Sequence, residues 1–402
     1  MGGSFMNFSI SKSVFHDSLN KVIGVVPQKT TISVLTCILL DLDGNQLSLM
    51  GTDLEISIKT LIEVDGTEDG TVAVPAKILA DIVRELPDIP LTLYTESGNK
   101  LVLKTEKGEY KISTQPKEDF PKVNVEEDGF EFDMATDVLV RMTNQTIFAV
   151  SMDELRPALT GINMEMLANE LRFVATDGHR LSKIILSDFE GPEDLQKNMI
   201  IPTKTLNLLL RNADPEKQES ISIRIGEDHI VFNMDKSVIY SKLINGTYPN
   251  YDRVIPKDNN QKLQVNKDLF ISTLRRVSIF SSSLTHQVRL IISKNQMTIR
   301  SEDIEFGAEG KETIDASFTD ESLHIGYNSN YLMDVLRHIE HEDVIFEVKD
   351  SLSSAIIYPA EQNENENHIM LLMPIRLNEE TGESTDEAEE EETEATETET
   401  EE

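Results

Sequence analysis

Pro75-Ala-Lys-Ile-Leu-Ala-Asp-Ile-Val-Arg84 decides the fold, because the chain repeats its pattern twice. It returns as Pro202-Thr-Lys-Thr-Leu-Asn-Leu-Leu-Leu-Arg211 and, more loosely, as Asn328-Ser-Asn-Tyr-Leu-Met-Asp-Val-Leu-Arg337. Each copy has apolar residues at helical spacing and an Arg in its last third, and the first two put Pro where a helix begins. Their starts lie 127 and 126 residues apart. A second series precedes them at spacings of 124 and 126: Gly51-Thr-Asp-Leu-Glu-Ile-Ser-Ile, Ala175-Thr-Asp-Gly-His-Arg-Leu-Ser and Ser301-Glu-Asp-Ile-Glu-Phe-Gly-Ala. A third series, of amphipathic helices, opens near Ser11, Thr136 and Asn266. Between these helices the chain alternates as strands do, in Leu171-Arg-Phe-Val-Ala, Ser220-Ile-Ser-Ile-Arg and Val288-Arg-Leu-Ile-Ile. A fixed period of this kind marks a repeated structural unit. The expectation is an α+β chain of three similar domains, each with two helices on antiparallel sheets. The helices are expected over 11–26, 75–86, 136–151, 202–212, 266–282 and 328–338, with domain boundaries near Val125 and Pro256.

Charge is spread unevenly along the 402 residues. The formal net charge is −35, and residues 378–402 hold 14 carboxylates without a Lys or Arg. That segment has almost nothing apolar to bury, so it reads as a solvated, disordered acidic tail. Without it, 37 cations stand against 58 carboxylates, and residues 1–377 still carry −21. By itself this charge argues against a protein that coats phosphates. Yet the six expected helices carry eleven cations against six carboxylates. An acidic chain with one mildly basic set of helices can repel polyanions on one surface and tolerate them on another. No apolar run approaches the roughly 20 residues of a membrane helix, and no export signal opens the chain. Met1-Gly2-Gly3-Ser4-Phe5 reads as a leader or cloning remnant, with Met6 as a natural start. One cysteine, Cys37, makes neither an internal disulfide nor a zinc site.

Asp177-Gly178-His179-Arg180 is the one stretch that invites a catalytic reading, since a carboxylate beside a histidine can move protons or begin a metal site. Eight His and one Cys include no HxxxH, HExxH or CxxC partner, and no nucleophile sits in a recognisable elbow. The expectation is no catalytic residue, no metal and no cofactor.

Three segments carry a resemblance: Ala175-Thr-Asp-Gly-His-Arg-Leu-Ser182, Gly246-Thr-Tyr-Pro-Asn-Tyr-Asp-Arg-Val-Ile-Pro256 and Met373-Pro-Ile-Arg-Leu377. Thr52-Asp-Leu-Glu55, Glu118-Asp-Phe-Pro121 and the run from Phe148 to Gly161 support them. Together, in order from Met6 to Leu377, they resemble the bacterial DNA polymerase III β subunit family, the replicative sliding clamps. The resemblance implies three clamp domains, at 6–125, 126–256 and 257–377, between the leader 1–5 and the tail 378–402. It implies a head-to-tail homodimeric ring in which twelve helices line a hole and continuous sheets form the outside. Such a ring is a non-enzymatic processivity factor that encircles duplex DNA without regard to sequence. Its implied partners are the polymerase III catalytic subunit, the clamp-loader complex and other clamp-motif proteins. No membrane is involved, and the implied location is cytoplasmic, at the nucleoid. Two rival readings stand beside it: an enzyme with its site around Asp177 and His179, and a peptide-docking scaffold without ring closure.

The resemblance also assigns residues. A partner-peptide cleft falls to Leu159, Thr176, Gly178, His179, Arg180, Leu181, Pro249, Arg253, Val254, Tyr331, Ser354, Leu371, Met373, Pro374, Ile375 and Arg376. Leu, Val, Met and Pro suit an apolar groove, with Met adapting to different partners, while Arg and His pair with polar groups at the rim. Core packing at a domain junction is the competing account, chiefly for Val254 and Leu371. DNA contact falls to Lys29, Lys204, Asn328 and Tyr331. Lys29 stands where many relatives have Arg, keeping the charge but losing the bidentate fork, and Pro157 and Ala158 stand where some relatives have tyrosines. The dimer interface falls to Tyr110 and Ile112 on an edge strand and to Ile279 and Phe280 at a helix end. Apolar groups on a sheet edge are an aggregation hazard unless another chain pairs with them.

Overall fold

A computed structural model describes residues 6–122, 129–189 and 197–377. The leader, the acidic tail and the expected boundary near Val125 lie outside the described residues. All six expected helices are present: α1 (Lys12–Ile23), α2 (Ala76–Glu85), α3 (Thr136–Ile147), α4 (Thr203–Asn212), α5 (Lys267–Val277) and α6 (Ser329–Arg337). They are shorter than their apolar patterns suggest. In α5, for example, the chain tightens into a 3₁₀ turn at Ser278–Phe280. Pro75 and Pro202 are the residues just before α2 and α4, at φ of −53° and −58°, the range the pyrrolidine ring imposes. Asn266 and Asn328 instead cap α5 and α6 by accepting backbone N–H bonds.

The repeat is visible in what each helix buries. α1 buries Phe15, Ser18, Leu19 and Val22, and α5 buries Phe270, Thr273, Leu274 and Val277 at the same spacing. α3 uses Leu139, Met142, Thr143 and Thr146, and its threonine hydroxyls donate to carbonyls one turn back, Leu139 O at 2.7 Å and Met142 O at 2.8 Å. That is how polar residues are accommodated on a buried helical face. Each third runs strand, helix, a set of strands, helix, then three strands.

By contact density the chain divides into two units. One comprises the described residues up to Tyr251 together with Gln362–Ile369, and the other comprises Asp252–Glu361 and the residues from Met370 onward.

In the first unit, one sheet has the order Asp65–Glu68, Asn7–Ser11, Pro90–Glu96, Lys100–Lys104, Glu109–Ser113. A second has eight strands: Phe130–Ala135, Ser220–Ile225, His229–Asn233, Ser237–Lys242, Ile56–Glu63, Gln46–Thr52, Cys37–Asp43, Gly70–Pro75. Its central pairing joins the first third to the second, with Ile58 opposite Ile239 and Ser57 opposite Tyr240. Lys197–Pro202, Gly161–Met166, Leu171–Thr176 and Arg180–Leu186 form a further run of neighbouring strands.

In the second unit, Met370–Leu372 pairs with Ala355–Pro359, followed by Asp343–Val348 and Gln261–Asn266. The other sheet there runs Ala308–Asp315, Gln296–Asp303, Gln287–Ser293, Leu323–Asn328. Among the described residues no helix is long and apolar enough to cross a membrane.

Two substitutions test the turns of the repeat. Leu54 and Gly178 occupy equivalent turns at φ of +81° and +94°, where a Cβ is strained. Gly178→Ala is expected to destabilise by about 1 kcal/mol. Leu54→Gly is expected to stay within about 0.5 kcal/mol of the parent, since relief of strain is offset by the freer unfolded chain. Denaturant unfolding of the two variants checks the pair.

Candidate functional site

The second repeated series builds one local device. In the first third, Asp53 Oδ1 accepts from Glu55 N at 3.1 Å and Ile56 N at 2.8 Å. In the second, Asp177 Oδ1 accepts from His179 N at 2.8 Å and Arg180 N at 3.0 Å. In the third, Asp303 Oδ1 accepts from Glu305 N at 3.0 Å and Phe306 N at 3.3 Å. Asp is favoured there because its side chain closes the turn that the backbone leaves open. Threonine repeats as well: Thr52 Oγ1 donates to Ile56 O at 3.0 Å, and Thr176 Oγ1 donates to Arg180 O at 2.7 Å.

This geometry accounts for the stretch that invited a catalytic reading. Asp177 is mostly buried, and its second oxygen takes Arg180 Nε at 3.1 Å. The His179 ring is 65% exposed, with Nδ1 4.0 Å from Asp177 Oδ1. Arg180, 10% exposed, lays its guanidinium over the Phe148 ring, 5.4 Å from the centroid. The result is a rigidly held cation and an exposed imidazole on a fixed turn, suited to binding rather than proton transfer. Among the described residues no group of three or more His, Cys, Asp or Glu is arranged to hold a metal.

In the same unit, Leu159 and Leu181 are buried, Thr176 is half-buried, and Gly178 and Pro249 are exposed. Tyr248, beside Pro249, is pushed above the usual phenol range by burial. Lys183 sits over Tyr251, 5.1 Å from its centroid, and the Tyr251 hydroxyl donates to Glu165 Oε2 at 2.7 Å. Sequence reasoning missed Phe148 as the platform under Arg180. An Arg three residues after a turn aspartate is the signal that such a platform was needed.

In the second unit, Val254 is 49% exposed while Leu371 is buried. Met373, Arg253 and Arg376 are exposed, and Tyr331, Ser354, Pro374 and Ile375 are half-buried. Ile375 N donates to Gly326 O at 2.8 Å, which fixes the course of the Met373–Leu377 segment.

The cations assigned to DNA differ in how free they are. Lys204 Nζ donates to Asp53 Oδ2 at 2.5 Å and to Val25 O at 2.8 Å, so it ties α4 to the first third. Asn328 spends its side-chain oxygen capping α6. Lys29 lies exposed on a loop. Other helix cations are also engaged within the chain: Lys77 and Arg84 with Asp81, Arg141 with Glu366 and Asp137, and Arg276 with Glu312. The basic surplus counted from sequence is therefore partly consumed by structure.

Tyr110 is 36% exposed on the edge strand Glu109–Ser113, whereas Ile112 is buried in the first unit's own core. Ile279 is 77% exposed and Phe280 38%. Leu284, Ile304 and Phe306 are each more than three-quarters exposed in the same unit as Ile279, and sequence reasoning missed them. The third copy of the repeated turn, Asp303-Ile-Glu-Phe306, places apolar side chains in solvent.

Three family models match in order. They are described as the N-terminal, central and C-terminal domains of the DNA polymerase III beta subunit, at residues 6–124, 133–250 and 252–376. The beta sliding clamp of Pseudomonas aeruginosa is 33% identical over 374 residues, 92% of this chain and 100% of that one. The beta sliding clamp of Haemophilus influenzae is 30% identical over the same coverage. The crystal structure of the DNA polymerase III subunit beta from Pseudomonas aeruginosa gives a TM-score of 0.83 at 32% identity, covering 92% of this chain and all of that one. A sliding clamp from Bartonella birtlesii bound to griselimycin gives 0.86 at 30% identity, covering 93% of this chain and all of that one.

Lys204→Met is expected to lower stability by about 1–3 kcal/mol, because it strands the Asp53 carboxylate and the Val25 carbonyl. The check is denaturant unfolding of the full chain. Lys29→Met, on an exposed loop, is expected to leave the midpoint unchanged.

Proposed function

The chain belongs to the DNA polymerase III beta subunit family and is a non-catalytic processivity factor, a sliding clamp; on that premise we propose that two copies close head to tail around duplex DNA. The observation that carries the proposal is the threefold repeat, in which helix pairs and antiparallel strands recur in the order the three family models demand. We take the domains as 6–125, 126–256 and 257–377, flanked by the leader 1–5 and the acidic tail 378–402.

Closure draws on Tyr110 of one copy and Ile279 and Phe280 of the other, with Ile112 supporting the edge strand from within its own core. DNA is held without base reading by Lys29, Lys204, Asn328 and Tyr331. With so few cations available, attraction to phosphate is weak and salt-sensitive, which suits a ring that topology retains and that must move along its track.

Partners are the polymerase III catalytic subunit, the clamp-loader complex and other proteins with clamp-binding motifs, working in the cytoplasm at the nucleoid. Their linear motifs bind the second-domain group around Arg180 and Pro249 and the third-domain group around Val254 and Met373. The exposure of Val254 and Met373, and the fixed posture of Arg180 over Phe148, support this assignment. The rival enzymatic reading loses its carboxylate, since Asp177 is occupied by two backbone N–H groups and Arg180.

Loading onto a nicked circular plasmid tests the ring. The protein should co-elute with the circle in gel filtration and be lost after the plasmid is linearised; retention on linear DNA contradicts encirclement. Ile279→Ala with Phe280→Ala removes two apolar anchors of about 1–3 kcal/mol each, and sedimentation should show dissociation at concentrations where the parent is dimeric. Met373→Glu, at an exposed position, should weaken a polymerase-tail peptide at least about tenfold with the dimer intact, as read by fluorescence polarisation.

A further inference from the structure

We infer that Arg141 and Glu366 are a positioning pair for the partner-peptide cleft. They fasten a segment of the third domain to α3, the helix whose end carries the platform under Arg180, in place of the lysine tie that joins the first two domains. The inference rests on the cleft reading above and adds the buried support behind it.

The repeated turn is used differently in its first two copies. Asp53 Oδ2 takes Lys204 Nζ from the next domain. Asp177, its counterpart, spends Oδ2 on Arg180 Nε of its own turn. Asn330 is the second residue of α6, where Lys204 is the second residue of α4. The second turn therefore has its oxygen committed and no lysine at the matching position, and it keeps Gly178 and His179 exposed.

A different fastening is present instead. Gln362–Ile369 lies in the stretch matched by the C-terminal domain model, yet it packs with the first unit. The Glu366 side chain is 4% exposed. Its carboxylate accepts from Arg141 Nε at 3.1 and 3.2 Å, from Arg141 Nη2, and from Asn363 Nδ2 at 2.9 Å. Arg141 Nη1 reaches back to Asp137 Oδ2 at 3.4 Å. A guanidinium fork fixes the plane of a carboxylate as well as its distance. Ser187 N donates to Asn365 O at 2.8 Å. The Gln362 amide closes the segment on itself, accepting from His368 N and donating to His368 O at 2.9 Å each.

The same face of α3 reaches the cleft residues. Arg141, Gln145 and Phe148 follow one another at helical spacing. Gln145 O accepts from Ser182 Oγ at 2.5 Å, and Ser182 Oγ lies 3.0 Å from His368 Nε2. Phe148 lies under the Arg180 guanidinium. Arg180 and Ser182 share one side of their strand, as Glu366 and His368 share one side of theirs. The other repeats do not build this stripe. Matching the buried positions of the helices puts Asp17 and Ser272 at the place of Arg141, and Gly24 and Ile279 at the place of Phe148. Asp17 and Ile279 are exposed. A buried ion pair adds little net stability, and its best-attested use is to fix register. Here the strand that Glu366 opens runs on to Leu371 and Met373, both assigned to the cleft.

The test is amide exchange of the full chain with and without a saturating polymerase-tail peptide. A parent protein that does not bind the peptide overturns the cleft reading, and this inference with it. Given binding, the amides of Ser187, Glu366 and His368 should exchange about tenfold more slowly in the complex, while those of strand Ser237–Lys242 keep their rate. No slowing, or slowing shared equally with Ser237–Lys242, overturns the inference. Arg141→Met should weaken the peptide by a comparable factor of about tenfold in fluorescence polarisation, since the coupling is reciprocal. Arg141→Lys should fall between Arg141→Met and the parent, because lysine keeps the charge without the fork. A folded, dimeric Arg141→Met protein that binds within about twofold of the parent overturns the pair's role. The exchange measurement needs no variant, so it decides the question by itself where Arg141→Met does not fold.

Discussion

The architecture depends on one edge-to-edge pairing, that of Ile56–Glu63 with Ser237–Lys242. A four-stranded half-sheet from each of two repeats would leave an open ladder of N–H and C=O groups, and joining them removes that liability. Ile58 and Ile239 bury the inner face of the seam, and Thr60 and Ser237 hydroxyls meet at 2.9 Å within it. Lys204 then fixes α4 against the turn and helix end of the first domain, so the helices are held in step with the strands beneath them. One repeat thus presents an edge that another repeat satisfies. Three repeats in a chain leave Glu109–Ser113 and Ala308–Asp315 as strands that end their sheets. A closed assembly of two chains is the simplest arrangement in which such edges are all used.

Much of this was legible in the sequence because helical periodicity survives divergence. The spacing of Phe15, Ser18, Leu19 and Val22 recurs at Phe270, Thr273, Leu274 and Val277. It is harder to see in α3, where Thr143 and Thr146 replace apolar residues and return their hydroxyls to the helix. Continuous sheets were implied only by the resemblance, since strand alternation says which face is buried but not which strand lies alongside. The series at Asp53, Asp177 and Asp303 was visible as a repeat. Its second member attracted a chemical reading because His179 follows it, but the structure gives all three the same task of closing a turn.

Charge was read correctly in sum and less well in use. Sequence counts a cation wherever it occurs, whereas a folded chain commits some to neighbouring carboxylates, as it does Arg141 to Glu366 and Arg276 to Glu312. The exposed apolar residues of the third domain went unnoticed for the complementary reason. Phe306 stands where the first domain has Ile56, which is buried, whereas Ile304 stands where it has Leu54, itself 49% exposed, and pattern alone does not tell these environments apart.

The central claim is that the edge strands Glu109–Ser113 and Ala308–Asp315 are completed by another copy of the chain, and amide hydrogen exchange tests it most directly. At concentrations where the protein is dimeric, amides in Glu109–Ser113 and Ala308–Asp315 should be protected to the same degree as those in the seam strand Ser237–Lys242. On dilution below the dissociation constant, both edge strands should lose protection together while the seam keeps its own. Edge-strand exchange that is fast and independent of concentration would contradict the account.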